Sequence, residues 1–231
     1  AEDFSDRIVH TDASESTTRN FSSSLKDAAL WHLAFINFYN VFVIIALLNT
    51  LVLYLKNDAE ISLQTCGEYT AIVNTASVIG KLCIGVLLDS RYREQAALGS
   101  YLLFICGTIL SLDVWSGILR PASGSFQLLV FSIVYGFGFG ASFTVTVSRP
   151  AQIFGSLADF GKVQSFLMLF QTLGGVLGTL LTGKLREATG SYTAPFCVFI
   201  VMACLCLLHC LLLDCCRSRS AGHLPSRHFK N

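Results

Sequence analysis

The sequence predicts an all-α membrane protein with six transmembrane helices. The 231 residues are 53% hydrophobic and only 13% charged, whereas an average soluble domain is about a quarter charged. A soluble protein of this length has too much surface to hide so much apolar area. The apolar residues also fall in long runs, each about as long as the ~20 residues that a helix needs to cross a bilayer. Barrel strands are about half that length, so helices are predicted.

The chain divides into three parts. Residues 1–27 are rich in Ser, Thr and acidic residues without apolar periodicity, which predicts a flexible cytoplasmic linker. Residues 28–213 are predicted to form the six-helix transmembrane bundle, and 214–231 a cytoplasmic basic tail. The apolar runs cover roughly 29–55, 69–88, 96–119, 126–147, 163–182 and 194–213.

Ala1 is not a start methionine, and no signal-peptide pattern precedes the first run. We therefore expect the chain to begin inside a longer protein.

Lys and Arg residues predict the orientation, because cytoplasmic loops carry an excess of both. With six spans the two termini share a side, and that side holds most of the basic residues outside the spans. Both termini are therefore predicted to be cytoplasmic, and the plasma membrane is favoured over an organelle. The basic residues on this side are Arg7, Arg19, Lys26, Arg91, Arg93, Arg149, Lys162, Arg217, Arg219, Arg227 and Lys230.

Several classes of function are disfavoured. The net charge of +1, without a basic stripe, argues against a nucleic-acid partner. No His, Asp or Glu cluster has metal-ligand spacing, and no Ser or Cys nucleophile is paired with a base. We therefore predict no enzyme activity, no catalytic residue, no metal and no cofactor.

Most of the nine cysteines lie in apolar runs, so a disulfide framework is not expected. Cys215 and Cys216 are juxtamembrane, which suits S-acylation and a free thiol pair equally well.

A charged turn ends the second apolar run, in the stretch "GKLCIGVLLDSRYR" at residues 80–93. Gly85 precedes Asp89 by one helical turn on the same face. A glycine there permits close approach of another helix, so the carboxylate would meet that helix end or an arginine. An ordinary positive-inside loop with one incidental acid carries about equal weight.

The segment from Gly85 to Arg93 resembles the loop motif of the major facilitator superfamily, Gly-x-x-x-Asp-Arg-x-Gly-Arg. Ser90 and Tyr92 stand where that motif has a basic residue and a glycine. Further stretches resemble helices eight, ten and eleven of monocarboxylate-porter-like members, and the resemblance covers about 28–213. These stretches are "NTASVIGKL" from Asn74, "VYGFGFGASF" from Val134 and "GVLGTLLTGKLREATGSY" from Gly175.

The resemblance implies the C-terminal six-helix half of a transporter. The missing N-terminal half would be its partner, besides lipid and a small-molecule solute. The two halves would rock around a central site. The resemblance assigns gating to the turn, and we add the intramembrane lysine; the predicted gating residues are Gly85, Asp89, Arg91, Arg93 and Lys81.

Six polar residues are predicted to contact substrate, because the first, second, fourth and fifth helices of such a half line the cavity. Amides in hydrocarbon are costly without partners, but helix–helix hydrogen bonds would satisfy the asparagines equally well. The six are Asn37, Asn40, Asn74, Ser77, Tyr135 and Gln171.

Three other residues and two glycine sets have alternative roles. An ionisable residue within a span, such as Lys81, is a functional candidate, although its side chain could extend to the cytoplasmic interface. Arg149 is predicted to anchor a span end, in preference to meeting an anion at the inner mouth. His209 is predicted to be packed or bonded to a backbone carbonyl, in preference to a proton-shuttle role. The glycines at 136–140 and 174–178 predict close helix packing.

The predicted function is secondary active transport of a small organic solute, such as a monocarboxylate-like anion, by alternating access. A neutral amino acid transporter is the alternative within the family, because related transporters carry a similar Phe-Gly segment, here Phe154-Gly155. A non-transporting six-span scaffold is the alternative outside it.

Overall fold

The computed structural model describes residues 21–57, 61–115 and 124–222, where every regular element is an α-helix. One helical turn, Phe21–Ser24, precedes six long helices. All six are long and apolar enough to cross a membrane, so the predicted fold class is confirmed. The long helices are α1 (Ala28–Asn57), α2 (Leu63–Leu88), α3 (Arg93–Trp115), α4 (Gly124–Phe154), α5 (Phe160–Thr189) and α6 (Thr193–Gly222).

Most helices begin or end outside their apolar runs, and a polar residue or a glycine satisfies two of these ends. Ser62 caps α2, where its hydroxyl accepts a hydrogen bond from the Thr65 N–H at 3.2 Å. Gly190 ends α5 with a left-handed φ of 65°, and its N–H donates to the Arg186 carbonyl at 2.9 Å. At the C-terminal end, α6 continues into the predicted tail as far as Gly222. Residues 1–20 of the predicted linker and 223–231 of the tail lie outside the described residues.

Helices α1 and α4 form the centre of the bundle. α1 packs most extensively on α5 and α6, and α4 packs most extensively on α2 and α3. Corresponding helices of the triplets α1–α3 and α4–α6 therefore have corresponding neighbours, which is the pattern of an internal three-helix repeat. α3 and α6 also contact each other, closing one side of the bundle.

Glycines set the closest helix contacts. A Cβ atom at Gly136 or Gly140 of α4 would overlap the backbone of α2, at the carbonyls of Val73 and Ser77. The glycines of α5 make the same kind of approach: a Cβ at Gly174 would overlap the Phe38 carbonyl of α1. The predicted close packing of these glycine sets is confirmed. Backbones approach closely there because glycine has no side chain to separate them.

The outer faces of α2 and α5 are apolar and open. On α2, Leu82 and Val86 are 68% and 75% exposed, and on α5 Leu169 and Leu180 are 55% and 57% exposed. Apolar surface of this extent needs lipid or another protein surface to cover it. α2 and α5 thus present apolar surface that either a partner or the bilayer could cover.

Substituting Gly140 tests the glycine contact. We expect Gly140→Ala to lower the free energy of unfolding by about 1–3 kcal/mol, because backbone rather than a flexible side chain blocks the new methyl group. Gly99→Ala on α3 is the matched control, since a Cβ there meets nothing within 4 Å. Thermal unfolding in detergent would compare the two variants, and equal stability would contradict the packing account.

Candidate functional site

Lys81 on α2 carries a charge inside the bundle. Its Nζ lies 5.5 Å from the ring centroids of both Phe139 and Phe143 on α4. Lys81 and both rings are half-buried. Helical side chains lean toward the helix N-terminus, and here that direction carries the ammonium group toward the middle of α4 instead of toward the charged turn. No described carboxylate pairs with this ammonium group.

Two predicted substrate residues precede Lys81 on the same helix. Asn74 lies two turns before Lys81 on the same helix face and is exposed. Ser77 is 3% exposed, and its backbone packs against Gly140 of α4. The structure therefore leaves Asn74 and Lys81 accessible, while Ser77 forms part of the α2–α4 contact.

Asn37 and Gln171 meet across the interface between α1 and α5. The Gln171 amide donates to the Asn37 side-chain oxygen at 2.7 Å, and the Asn37 amide donates to the Leu33 carbonyl at 2.7 Å. Asn37 is 2% exposed, whereas Gln171 is half-buried. Gln171 is the accessible member of the pair, and Asn37 holds it in place.

Asn40 lies at the centre of a buried hydrogen-bond cluster that joins three helices. Its amide donates to the Thr146 hydroxyl at 2.9 Å, and its oxygen accepts from the Ser142 hydroxyl at 3.2 Å. The Tyr101 hydroxyl of α3 lies 2.9 Å from the same Thr146 oxygen. Asn40 is fully buried. In this structure, the helix–helix alternative describes Asn40 better than substrate contact does.

Tyr135 is fully buried within an aromatic stack. Its ring centroid lies 5.5 Å from that of Phe131 and 5.9 Å from that of Phe104. The Tyr135 hydroxyl has no hydrogen-bond partner among the described residues. It is therefore not open to a solute in this conformation, although a small rearrangement that exposes the hydroxyl would relieve an unsatisfied buried group.

Four of the predicted gating residues lie in or beside the turn between α2 and α3, and none of them is buried. Asp89 is the C-cap of α2, exposed, and unpaired with any described cation. The Arg91 guanidinium bonds the Tyr92 hydroxyl at 2.6 Å, and Arg93 is exposed. A Cβ at Gly85 would meet nothing within 4 Å. The predicted close approach at Gly85 is thus not made within the described bundle, and this surface remains open.

The bundle's buried charge network is centred on Arg149 instead. Its guanidinium donates to Asp214 of α6 and, at 2.9 Å, to Glu94 of α3. Arg149 is 2% exposed. The side chain does not extend outward as that of a membrane-edge anchor would: it turns inward and ties the start of α3 to the C-terminal ends of α4 and α6.

Sequence reasoning missed this network, although a signal was present. In the predicted topology, Glu94, Arg149 and Asp214 lie at the cytoplasmic ends of three different spans. Opposite charges at one membrane level favour pairing. Their separation along the chain concealed the pairing, because three helices must first assemble.

His209 is packed, as predicted. Its Nδ1 lies 3.0 Å from Nδ1 of His32, so one ring donates and the other accepts between α6 and α1. Phe35 and Tyr39 lie beside the His209 ring.

Asp159 connects α5 to the helical turn before α1. Its carboxylate accepts from the Lys162 ammonium at 2.9 Å and from the Phe21 N–H at 3.4 Å. These bonds, chiefly the one from Lys162, hold the pKa of the Asp159 carboxyl below its usual value. A carboxyl whose pKa is lowered by folding stabilises the fold at every pH above its unfolded pKa. That stabilisation is lost only as the pH falls through the folded pKa. The contact is therefore intact at neutral pH.

A cavity of about 210 Å³ lies between α1 and α5 at the opposite end of the bundle. Its lining includes Asn49, Thr179, Arg186 and Tyr192. The Asn49 amide donates to the Thr179 hydroxyl at 3.4 Å, and the Arg186 guanidinium lies over the Tyr192 ring at 4.3 Å. Among the described residues no group of three or more His, Cys, Asp or Glu could hold a metal.

The Arg149 network makes a stability prediction. We expect Arg149→Met to destabilise the bundle by about 1–3 kcal/mol, because it removes the charge-assisted hydrogen bonds that a buried guanidinium makes to two partly exposed carboxylates. Lys162→Met is the matched control, since its ion pair is exposed. Thermal unfolding in detergent measures both, and a tolerance of Arg149→Met equal to that of the control would contradict the structural role.

Comparison with known proteins agrees with this geometry. Monocarboxylate transporter 13 of Rattus norvegicus is 30% identical over 131 residues, which are 55% of this chain and 28% of the relative. Monocarboxylate transporter 11 of Homo sapiens is 33% identical over 145 residues, 56% of this chain and 28% of the relative. The hexuronate transporter of Bacillus subtilis is 22% identical over 180 residues, 74% of this chain and 41% of the relative.

The chain thus aligns with less than half the length of each of these relatives, which fits one half of such a protein. The family model of the Major Facilitator Superfamily matches residues 30–228, which cover α1 from its third residue and all of α2 to α6. The chain therefore belongs to the Major Facilitator Superfamily.

Proposed function

We propose that this chain is the C-terminal half of a secondary active transporter for small organic anions of the monocarboxylate type. The observation that carries the proposal is the Lys81 ammonium group, half-buried between two phenylalanine rings without a described carboxylate partner. A charge inside a span is costly, and its retention favours a functional role with an anionic counterpart.

The surroundings of Lys81 suit a short carboxylate. The ammonium group supplies a charge-assisted hydrogen bond to the carboxylate, and the rings of Phe139 and Phe143 supply an apolar wall for the carbon chain. Asn74 and Gln171 are the other accessible polar residues of the predicted set. The names of the relatives, monocarboxylate and hexuronate transporters, both denote carboxylates, which supports this substrate class.

Alternating access would use the bundle as one rigid lobe. The Arg149 network fixes the cytoplasmic ends of three helices, and the glycine contacts lock α2 onto α4 and α5 onto α1. The missing N-terminal half would rock against the open faces of α2 and α5. Gly85, Asp89, Arg91 and Arg93 would serve as the gate, because their exposed turn is available for contact with that half.

The membrane setting follows the same reasoning. Six apolar helices support an integral, multi-pass protein in contact with lipid. The distribution of Lys and Arg favours cytoplasmic termini, and we propose the plasma membrane as the location. Relatives that are transporters favour transport over enzyme activity.

Removing the charge of Lys81 tests the substrate site. We expect Lys81→Gln to lower uptake of a labelled short-chain monocarboxylate by about ten- to a hundredfold, because a hydrogen bond to a charged group contributes about 1.5–3 kcal/mol. Lys81→Arg should keep most of the activity. Uptake in cells expressing the full-length protein, normalised to surface expression, measures both.

Lys184→Gln, an exposed lysine of α5, is the control for the loss of one positive charge. Unchanged monocarboxylate uptake by Lys81→Gln would overturn the site. Uptake of labelled neutral amino acids in place of monocarboxylates would favour the alternative substrate, and no uptake of either would favour the scaffold.

The gate has a separate test. We expect Asp89→Ala to reduce the transport rate more than it reduces surface expression, because the exposed carboxylate would contact the N-terminal half in one conformation only. Glu187→Ala removes an exposed acid at the last turn of α5 and should leave transport unchanged. If the Asp89→Ala variant has the same transport kinetics as the unsubstituted protein, the gating role is excluded.

A further inference from the structure

We infer that Cys215 and Cys216, at the cytoplasmic end of α6, are sites of S-acylation by a long-chain fatty acid. The sequence alone left acylation and a free thiol pair equally open. The inference rests on the proposed orientation, which places the end of α6 in the cytosol, but it does not depend on the transported substrate.

The first support is the accessibility of both thiols. Cys215 and Cys216 are free and exposed, whereas Cys206 and Cys210 on the same helix are buried. Asp214 explains the difference: its bond to Arg149 turns that position of α6 toward the bundle. With 3.6 residues per turn, the next two side chains point about 100° and 200° away from Asp214, which is away from the packed side.

The second support is the depth of the two thiols. The apolar run of α6 ends at Leu213, and charged residues follow at Asp214 and Arg217. The ion pair between Asp214 and Arg149 marks the level at which charges collect. The thiols therefore lie at the boundary between hydrocarbon and water. A cysteine at this boundary is accessible from the aqueous side, and an attached chain enters the bilayer directly.

The third support is the path for the attached chain. Helical side chains lean toward the helix N-terminus, which for α6 is the direction back into the membrane. Leu211 and Leu212 lie one turn before Cys215 and Cys216 and are 45% and 41% exposed, and Leu208, 47% exposed, continues this surface. An acyl chain from either sulfur would lie along this apolar face.

A disulfide between the two cysteines is disfavoured by the helix. Adjacent residues of an α-helix diverge by about 100°, and a disulfide requires Cβ atoms about 3.5–4.5 Å apart. Residues Thr193–Gly222 are continuous helix, so each thiol reacts separately.

The reaction is an acyl transfer. The cysteine sulfur attacks the thioester carbonyl carbon of a long-chain acyl-coenzyme A, a new carbon–sulfur bond forms, and the bond to coenzyme A breaks. Coenzyme A leaves as its thiol and takes the proton from the cysteine. No oxidant or reductant is consumed.

Metabolic labelling with an alkynyl fatty acid tests the inference in cells that express the full chain. We expect a label that neutral hydroxylamine removes, because hydroxylamine cleaves thioesters. Cys215→Ser and Cys216→Ser should each lose about half of the label, and the double variant nearly all of it. Cys204→Ser is the matched control: Cys204 is also exposed on α6 but lies deep in the span, so the label should remain.

The possible results distinguish a failure of the proposed orientation from a failure of the proposed acylation. An unlabelled chain, or label that persists in the double variant, overturns the acylation sites. Modification of Cys215 and Cys216 by a membrane-impermeant maleimide in intact cells places them outside the cell, and overturns both the orientation and the acylation. Modification only after permeabilisation, at full stoichiometry and without hydroxylamine treatment, shows unacylated thiols and overturns the acylation alone.

Discussion

Hydrocarbon offers no hydrogen bonds, and a polar group left without a partner inside it costs several kcal/mol. This constraint governs the six-helix bundle. The backbone is helical throughout the spans. Hydroxyl groups donate hydrogen bonds to backbone carbonyls one turn earlier, as Thr108 does to Phe104 and Thr182 to Gly178. Polar side chains that cannot do this meet across helices, as Asn40 and Thr146 do. The polar residues of the spans thus serve first to hold helices together.

Close backbone packing gives the bundle its rigidity. Glycines bring α4 against α2 and α5 against α1, and the ion pairs of the buried Arg149 join α3, α4 and α6 at one end. Packed interfaces of this kind move as units, since they resist continuous deformation. A rigid lobe with open apolar faces on α2 and α5 is the component that a two-lobed carrier requires.

Against this background Lys81 is the exception. Its charge has rings beside it but no described acid, so the protein carries the cost of an unbalanced cation within a span. Function is the ordinary reason for such a cost. Cys215 and Cys216 follow the last apolar run, beside Asp214 and Arg217, and both thiols are exposed.

The sequence by itself determined the six spans and the membrane environment, because length and apolar composition are local properties that hydrocarbon selects directly. It also indicated the glycine contacts, since small residues at helical spacing have a defined use. Only the tertiary structure decided which polar residues satisfy one another. Asn40 is buried and hydrogen-bonded to two residues of α4. Gln171 and Lys81 are accessible, and Arg149 is paired with Glu94 and Asp214. These pairings join residues far apart in the chain, and they depend on which helices become neighbours and how each is rotated, which periodicity within one span does not specify.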